Sequence, residues 1–173
     1  MDKEIAFYIY SIAKHFCVNI VLCAEQKYII IVLKGGLCIM NRDILKQIMI
    51  DQKEIYLNNS LLHRLYPLEE GVNYCFVGIR RTGKSYMMYQ QIKQLEIDGV
   101  PLSQIVYVNF EDERLLEMTS DDLNMILEIG LEISGVDHKP YLFFDEIQNI
   151  DGWEKFVRRV ADMKYCVNIT GSN

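Results

Sequence analysis

From Gly71 onward, short apolar runs alternate with segments whose apolar residues recur every three or four positions. The pattern predicts strands over Val72 to Val77, Ile105 to Asn109, Tyr141 to Asp145 and Cys166 to Thr170. Between them it predicts helices over Lys84 to Ile97, Asp121 to Ile133 and Trp153 to Met163. Strands and helices alternating at this spacing mean a parallel sheet with helices on its faces. No repeat or low-complexity tract interrupts the four strands.

Residues 40–70 follow a helical period instead. Ile44, Leu45, Ile48, Met49, Ile55, Leu61, Leu62 and Leu65 fall near i, i+3, i+4 and i+7, so a helix or helix pair capped by Asn41 precedes Pro67. Leu68-Glu69-Glu70-Gly71 is then the turn into the first strand, and the helix is expected to cover one face of the sheet. The first 39 residues carry two loosely apolar runs, Ile5 to Ile12 and Val18 to Ala24, then a strand-like Tyr28 to Leu33 and Lys34-Gly35-Gly36. Two readings of this segment stand. Lys-Gly-Gly a few codons before Met40 back-translates to a purine-rich ribosome-binding sequence, which would make Met40 the true start. The rival is a small extra strand-and-helix element. N-terminal sequencing of the native protein separates the two.

Composition narrows the class. Hydrophobic residues make up 50% of the 173 and aromatics 11%, enough for a real core and against disorder. A net charge of −6 gives no global footprint for nucleic acid, whose binding rests on Lys and Arg neutralising phosphates; only a local basic patch would serve. Lys14 and His15 interrupt the N-terminal apolar stretch, and Tyr28 to Leu33 is far shorter than the ~20 residues a membrane span needs. With no small-residue cleavage site after it, the chain reads as cytoplasmic and without a membrane partner. Cys17, Cys23, Cys38, Cys75 and Cys166 form no C-x-x-C pair and are expected to be reduced, buried thiols rather than zinc ligands. His15, His63 and His138 are isolated and read as surface or satisfied histidines.

The strongest local signal is Gly78-Ile79-Arg80-Arg81-Thr82-Gly83-Lys84-Ser85, which fits the Walker A pattern G-x-x-x-x-G-K-[ST] at every fixed position. Glycines let the backbone curl so that successive N–H groups point at phosphate oxygens, and the helix beginning there adds its positive end. Lys84 would reach the β- and γ-phosphates of ATP, and the Ser85 hydroxyl would enter the Mg²⁺ shell. The candidate nucleotide-binding set is Gly78, Arg80, Arg81, Thr82, Gly83, Lys84, Ser85 and Tyr86, with a solvated loop tip as the alternative for Arg80 and Arg81. The Tyr86 ring, with Met87, Met88 and Tyr89, reads as packing rather than a base-binding box. A chance match is expected in fewer than about one in a hundred chains of this length.

Tyr141-Leu142-Phe143-Phe144-Asp145-Glu146 is an apolar strand ending in two carboxylates, 60 residues after Ser85. Alone this is weak; after a complete phosphate loop it is strong. Asp145 would hold Mg²⁺, usually through water, and Glu146 would polarise the attacking water. Asn109 and Thr170-Gly171-Ser172-Asn173 close two further strands at the edge where ligands of such sheets bind. An ordinary strand-to-loop turn is the alternative for each. Glu111, Asp112 and Glu113 read as a solvated acidic turn before an extension of the metal site. Trp153 is expected to pack its helix onto the sheet.

Together Gly78-x-Arg80-x-x-Gly83-Lys84-Ser85, Val108-Asn109-Phe110-Glu111-Asp112, Phe144-Asp145-Glu146-Ile147-Gln148, Gly152-Trp153-Glu154 and Ile169-Thr170-Gly171-Ser172-Asn173 span most of Gly71 to Asn173. In these motifs the chain resembles the AAA-type ATPase domain (AAA domain family 14) that prokaryotic proteins join to a C-terminal DUF4143 domain. The resemblance implies an α/β three-layer sandwich of the P-loop NTPase type, in its ASCE or AAA-like branch, behind an N-terminal helical extension. It implies ATP binding and hydrolysis, with Asn173 or Ser172 as the sensor at the end of the fourth strand. Asn109 falls where related ATPases place a residue that restrains the catalytic glutamate. Residues 1–39 have no counterpart. The family continues past Asn173 into a fifth strand, a downstream Arg and a C-terminal domain, so the resemblance makes this chain a fragment, incomplete at its C-terminal end.

The leading expectation is a Mg²⁺-dependent ATPase with catalytic Lys84, Glu146 and Asn173, driving a change in a missing domain or a separate protein partner. Its rival is a nucleotide switch or adaptor with little hydrolysis. A small-molecule kinase shares the loop, but the Asp145-Glu146 pair fits water activation better. GTP has little support without an Asn-Lys-x-Asp motif. Rings are common among relatives, and nothing in these residues demonstrates an oligomer interface.

Overall fold

Alternation at period two decides which way each strand faces. The computed structural model describes residues 19–22, 29–32, 40–58, 69, 71–135 and 138–172. It divides into two units, Met1–Cys38 and Ile39–Asn173. In the first, β1 (Asn19–Leu22) pairs antiparallel with β2 (Ile29–Val32), Asn19 opposite Val32. The expected strand over Tyr28 to Leu33 is thus extended at Ile29–Val32, whereas the apolar run Ile5 to Ile12 lies outside the described residues.

The second unit runs α1 (Arg42–Asn58), β3 (Cys75–Gly78), α2 (Lys84–Ile97), β4 (Ile105–Asn109), α3 (Leu123–Ser134), β5 (Tyr141–Asp145), α4 (Trp153–Asp162) and β6 (Val167–Ser172). The four strands form one parallel sheet in the order β3-β6-β5-β4. The registers place Gly78 opposite Ser172 and Asn109 opposite Asp145. The strand that feeds the phosphate loop and the strand that ends in the acidic pair are therefore not neighbours, and β6 lies between them.

Both faces of the sheet are covered, as a parallel sheet requires. Val106, Val108, Leu142, Phe144, Val167 and Ile169 join Leu45, Ile48, Leu123, Ile126, Ile129, Phe156 and Val160 in the larger core. Ile105, Tyr107 and Phe143 turn the other way, toward Met88, Tyr89, Ile92 and Leu95 of α2, with Tyr56 of α1. Trp153 packs against the larger core, as its sequence position suggested.

Helix α1 runs beside β4, the sheet edge away from β3. Asn41 caps it, its Oδ1 accepting from the N–H groups of Asp43 and Ile44 at 2.8 and 3.4 Å. Gln52 is 3% exposed and serves the last residue of β4 as a missing strand would: its Oε1 accepts from Asn109 N at 2.7 Å and its Nε2 donates to Asn109 O at 3.1 Å. Nearby, Arg114 lies between Asp51 and Asp112, and its hydrogen bonds, against a smaller penalty from burial, hold the Asp112 carboxyl down at about 2. Leu61, Leu62, Leu65 and Pro67 lie outside the described residues.

Several element ends differ from expectation for local reasons. β3 starts at Cys75 rather than Val72, because side chains replace the ladder there: Asn73 Oδ1 accepts from Val167 N and Asn168 Oδ1 from Tyr74 N. α3 starts at Leu123 rather than Asp121, because Asp122 folds back to accept from the Thr119 N–H and hydroxyl. β6 continues through Gly171 and Ser172, which were expected to close the strand. Cys75 is an exposed free thiol on the edge strand, not the buried one expected; Cys166 is partly buried and free. Cys17, Cys23 and Cys38 lie outside the described residues.

Gly130 gives the packing its most direct test. An alanine inside a helix is normally favoured over glycine by roughly 0.5–1 kcal/mol. A Cβ at Gly130, however, would lie 2.7 Å from Cγ2 of Val106, a β-branched side chain with little freedom on the buried face of β4. Overpacking of this kind costs about 1–3 kcal/mol, so Gly130→Ala should destabilise. Denaturant unfolding should show the loss, and Gly130→Ala with Val106→Ala should show a smaller one than the two single changes added.

Candidate functional site

Gly78 of β3, Ser172 of β6 and Asp145 of β5 all lie at the carboxyl edge of the sheet, where open α/β folds bind their ligands. The loop leaving β3 passes directly into α2. Arg81 and Gly83 take the left-handed conformation at φ 64° and 87°, the second at the N-cap, where a glycine has no Cβ to strain. Thr82 Oγ1 donates to the Ile79 carbonyl at 2.8 Å. No acidic side chain occupies the first turn of α2, so the positive helix end is left to an anion.

Lys84 is buried beneath this loop. Its Nζ donates to the carbonyls of Gly78 and Ile79 at 3.3 Å each and faces Glu146 Oε1 at 3.4 Å. An isolated buried ammonium is costly, and these three oxygens offset that cost. All three come from the proposed site itself.

Asp145 is 1% exposed and accepts two hydrogen bonds: from Tyr107 OH to Oδ2 at 2.8 Å and from Thr170 Oγ1 to Oδ1 at 2.5 Å. Burial first, then the charge of Asp145, holds the Tyr107 phenol well above its ordinary value, so it stays a neutral donor. Thr170 also accepts from the Glu146 N–H at 2.8 Å. One hydroxyl on β6 thus ties both acidic residues to the central strand.

Glu146 sits in the left-handed conformation, φ 53°, which costs a non-glycine residue roughly 1–2 kcal/mol. Its Oε2 accepts from Gln148 Nε2 at 2.5 Å and from the Ser172 hydroxyl. Burial pushes the carboxyl up, but the hydrogen bonds from Ser172 and Gln148 and the charge of Lys84 outweigh it, and the net shift is downward. The carboxylate is therefore ionised near neutral pH.

The structure thus brings Lys84, Asp145, Glu146 and Ser172 together through β6. Ser85 is partly buried on the first turn of α2. Arg80 is exposed and pairs with Glu111 at 2.8 Å, while Arg81 and Tyr86 are also exposed, Tyr86 with its ring 5.6 Å from that of Tyr89. Asn109 Oδ1 accepts from the Glu111 N–H at 2.9 Å, capping its own turn. Glu111 is exposed and belongs to the Arg80 pair, whereas Asp112 is not the solvated carboxylate expected: its side chain is 13% exposed and accepts from Arg114 and Gln52. Asn173, His15 and His63 lie outside the described residues; His138 is exposed. Sequence reasoning did not foresee Tyr107 or Gln148 at the acidic pair. Tyr107 reads as one more apolar strand residue, and its role depends on the β4–β5 register.

The donor set suits a hard divalent cation. The Ser85 hydroxyl and the Asp145 carboxylate are oxygen donors, and a carboxylate has about four acceptor positions, of which two are taken here.

A glycine-bounded loop with a buried lysine, at the carboxyl edge of a parallel sheet and one strand away from an acidic pair, defines a P-loop nucleotide-binding protein. Residues 73–173, more than half of the chain, match the family model described as "AAA domain", and the chain belongs to this AAA-type P-loop ATPase family. An uncharacterized protein of Methanocaldococcus jannaschii, MJ1544, is 40% identical over 130 residues, covering 75% of this chain and 27% of that protein. An uncharacterized protein of Haemophilus influenzae is 33% identical over 98 residues, covering 56% of this chain and 24% of that one. The chain spans about a quarter of the length of these relatives. No solved structure gives a significant match.

Thr170→Val keeps shape while removing the hydroxyl, leaving the buried Glu146 N–H without its acceptor and Asp145 with Tyr107 as its remaining donor. Chemical unfolding should show a loss of roughly 2 kcal/mol or more. A loss below about 0.5 kcal/mol would mean that this bridge does not hold the acidic pair.

Proposed function

We propose that this chain is the nucleotide-binding core of a Mg²⁺-dependent ATPase, which uses ATP hydrolysis to drive a change in a further domain or a separate protein. The observation that carries the reading is Lys84, buried under the loop and shared between two loop carbonyls and Glu146. A phosphate group offers that ammonium stronger acceptors than two amide carbonyls do.

On this reading the loop N–H groups and the end of α2 bind the phosphates, and Lys84 turns from Gly78 and Ile79 to the β- and γ-phosphate oxygens. Ser85 and Asp145 would hold Mg²⁺, directly or through its water, and the ion would neutralise charge on the phosphates. Tyr107 and Thr170 keep Asp145 oriented for that task. Glu146, ionised and fixed beside Lys84, orients a water molecule toward the γ-phosphate and takes its proton. The nucleotide contacts fall to Gly78, Arg80, Arg81, Thr82, Gly83, Lys84, Ser85 and Tyr86, and a sensor role to Ser172 and Asn173. Net charge gives nucleic acid no support as a partner.

Fluorescent-ATP binding with Mg²⁺, followed by phosphate release on the same samples, tests the reading. Lys84→Ala should abolish binding, whereas Glu146→Gln should keep it and lower release by about 100-fold or more. An arginine finger supplied by another domain or subunit is worth about 10³–10⁵ in rate, so slow release by this chain is expected. Binding without any release would favour a nucleotide switch. Equal binding by the parent and Lys84→Ala would contradict the site.

A further inference from the structure

We propose that Gln148 is a positioning residue that, with Ser172, holds the Glu146 carboxylate back from Lys84 and so keeps the ammonium available to phosphate. The inference rests on the nucleotide-binding reading above and adds to it what keeps two opposite buried charges from closing on each other.

The side chains of Lys84 and Glu146 are 7% and 10% exposed, so little water screens their attraction. Left alone, they would close to the roughly 2.7–2.9 Å of a charge-assisted hydrogen bond. They stand instead at 3.4 Å, through Oε1. The short contacts are on the other oxygen: Gln148 Nε2 at 2.5 Å and the Ser172 hydroxyl both donate to Oε2. Two donors on the side away from Lys84 pull the carboxylate back and leave Oε1 turned toward the loop.

Gln148 is built into that place. It belongs to the 3-10 turn Ile147–Asn149, which starts directly after the left-handed Glu146. Its carboxamide can face Glu146 only through its N–H₂, because the reverse orientation would set two acceptors together. The opposite end rests on β6 at Gly171, where a Cβ would come within 3.3 Å of Gln148 Oε1. Gly171 is not among the positive-φ glycines, so space for this carboxamide, not backbone conformation, is what a side chain there would take away. Gln148 Oε1 is buried without a donor among the described residues. The carboxamide accepts that cost where its N–H₂ reaches the carboxylate.

The test compares four forms of this chain: the parent, Gln148→Met, Glu146→Ala and the double variant. Fluorescent-ATP affinity and nucleotide-free thermal unfolding are measured for each. Without Gln148, Glu146 closes on Lys84 and competes with phosphate, so Gln148→Met should weaken ATP binding by roughly three- to tenfold. In the Glu146→Ala background no carboxylate remains to close, and the same change should leave affinity within about twofold. The unfolding midpoints should be non-additive, with Gln148→Met costing less once Glu146 is gone.

Unchanged or tighter ATP binding by Gln148→Met would overturn the proposal. So would an equal loss in both backgrounds, which marks a general structural role, or additive midpoints, which mean that the contact does not form. If no protein of the four binds ATP, the nucleotide reading fails and the proposed role falls with it. The unfolding cycle then still decides whether Gln148 holds Glu146.

Discussion

A buried ammonium must find oxygen, and the architecture of this site follows from where Lys84 finds it. The loop that buries Lys84 also supplies two of its three acceptors, the carbonyls of Gly78 and Ile79; the third is Glu146, from β5. Because β6 separates β3 from β5, the residues at its end stand between the lysine and the acidic pair. Thr170 and Ser172 fill those positions, each with a hydroxyl donated to a carboxylate. The strand order thus decides which side chains can organise the charges.

The two carboxylates are treated differently. Asp145 is almost fully buried and held by neutral donors on either side, a tyrosine from β4 and a threonine from β6. Glu146 leaves the strand through a strained left-handed residue, shares its oxygens among Gln148, Ser172 and Lys84, and stays ionised. A rigid aspartate suits a metal shell, whereas a glutamate with one oxygen held and the other turned to the loop suits proton transfer. The edge strand beside them is closed by α1, whose Gln52 takes the last amide and carbonyl of β4.

Much of the fold was legible because local signals and tertiary packing agree. The bounds of α2 match expectation at both ends: Gly83 sets the left-handed entry, and the chain leaves through Asp98 and Gly99. β4 and β5 also match, their apolar runs being short and fully enclosed. The differences lie where a polar side chain competes with the backbone ladder, as Asn73, Asn168 and Asp122 do, and no period in the sequence reports that competition. The phosphate loop and acidic pair were legible as motifs, since each is a contiguous run. Tyr107, Gln52 and Gln148 were not, because their partners come from strand register and from the turn after Glu146. For Asn109 a place near the glutamate and an ordinary strand-to-loop turn both stood open; its Oδ1 accepts from the Glu111 amide, as such a turn would have it.

Amide hydrogen exchange on the whole chain, with and without Mg²⁺ and ATP, tests the central claim most directly, because it reports where the nucleotide acts without presuming turnover. The account predicts slowed exchange at the amides of Ile79 to Ser85, with a smaller change near Glu146 as Lys84 exchanges its carbonyl partners for phosphate. Unchanged exchange across that loop at saturating ATP, or protection confined to residues away from the carboxyl edge of the sheet, would contradict it.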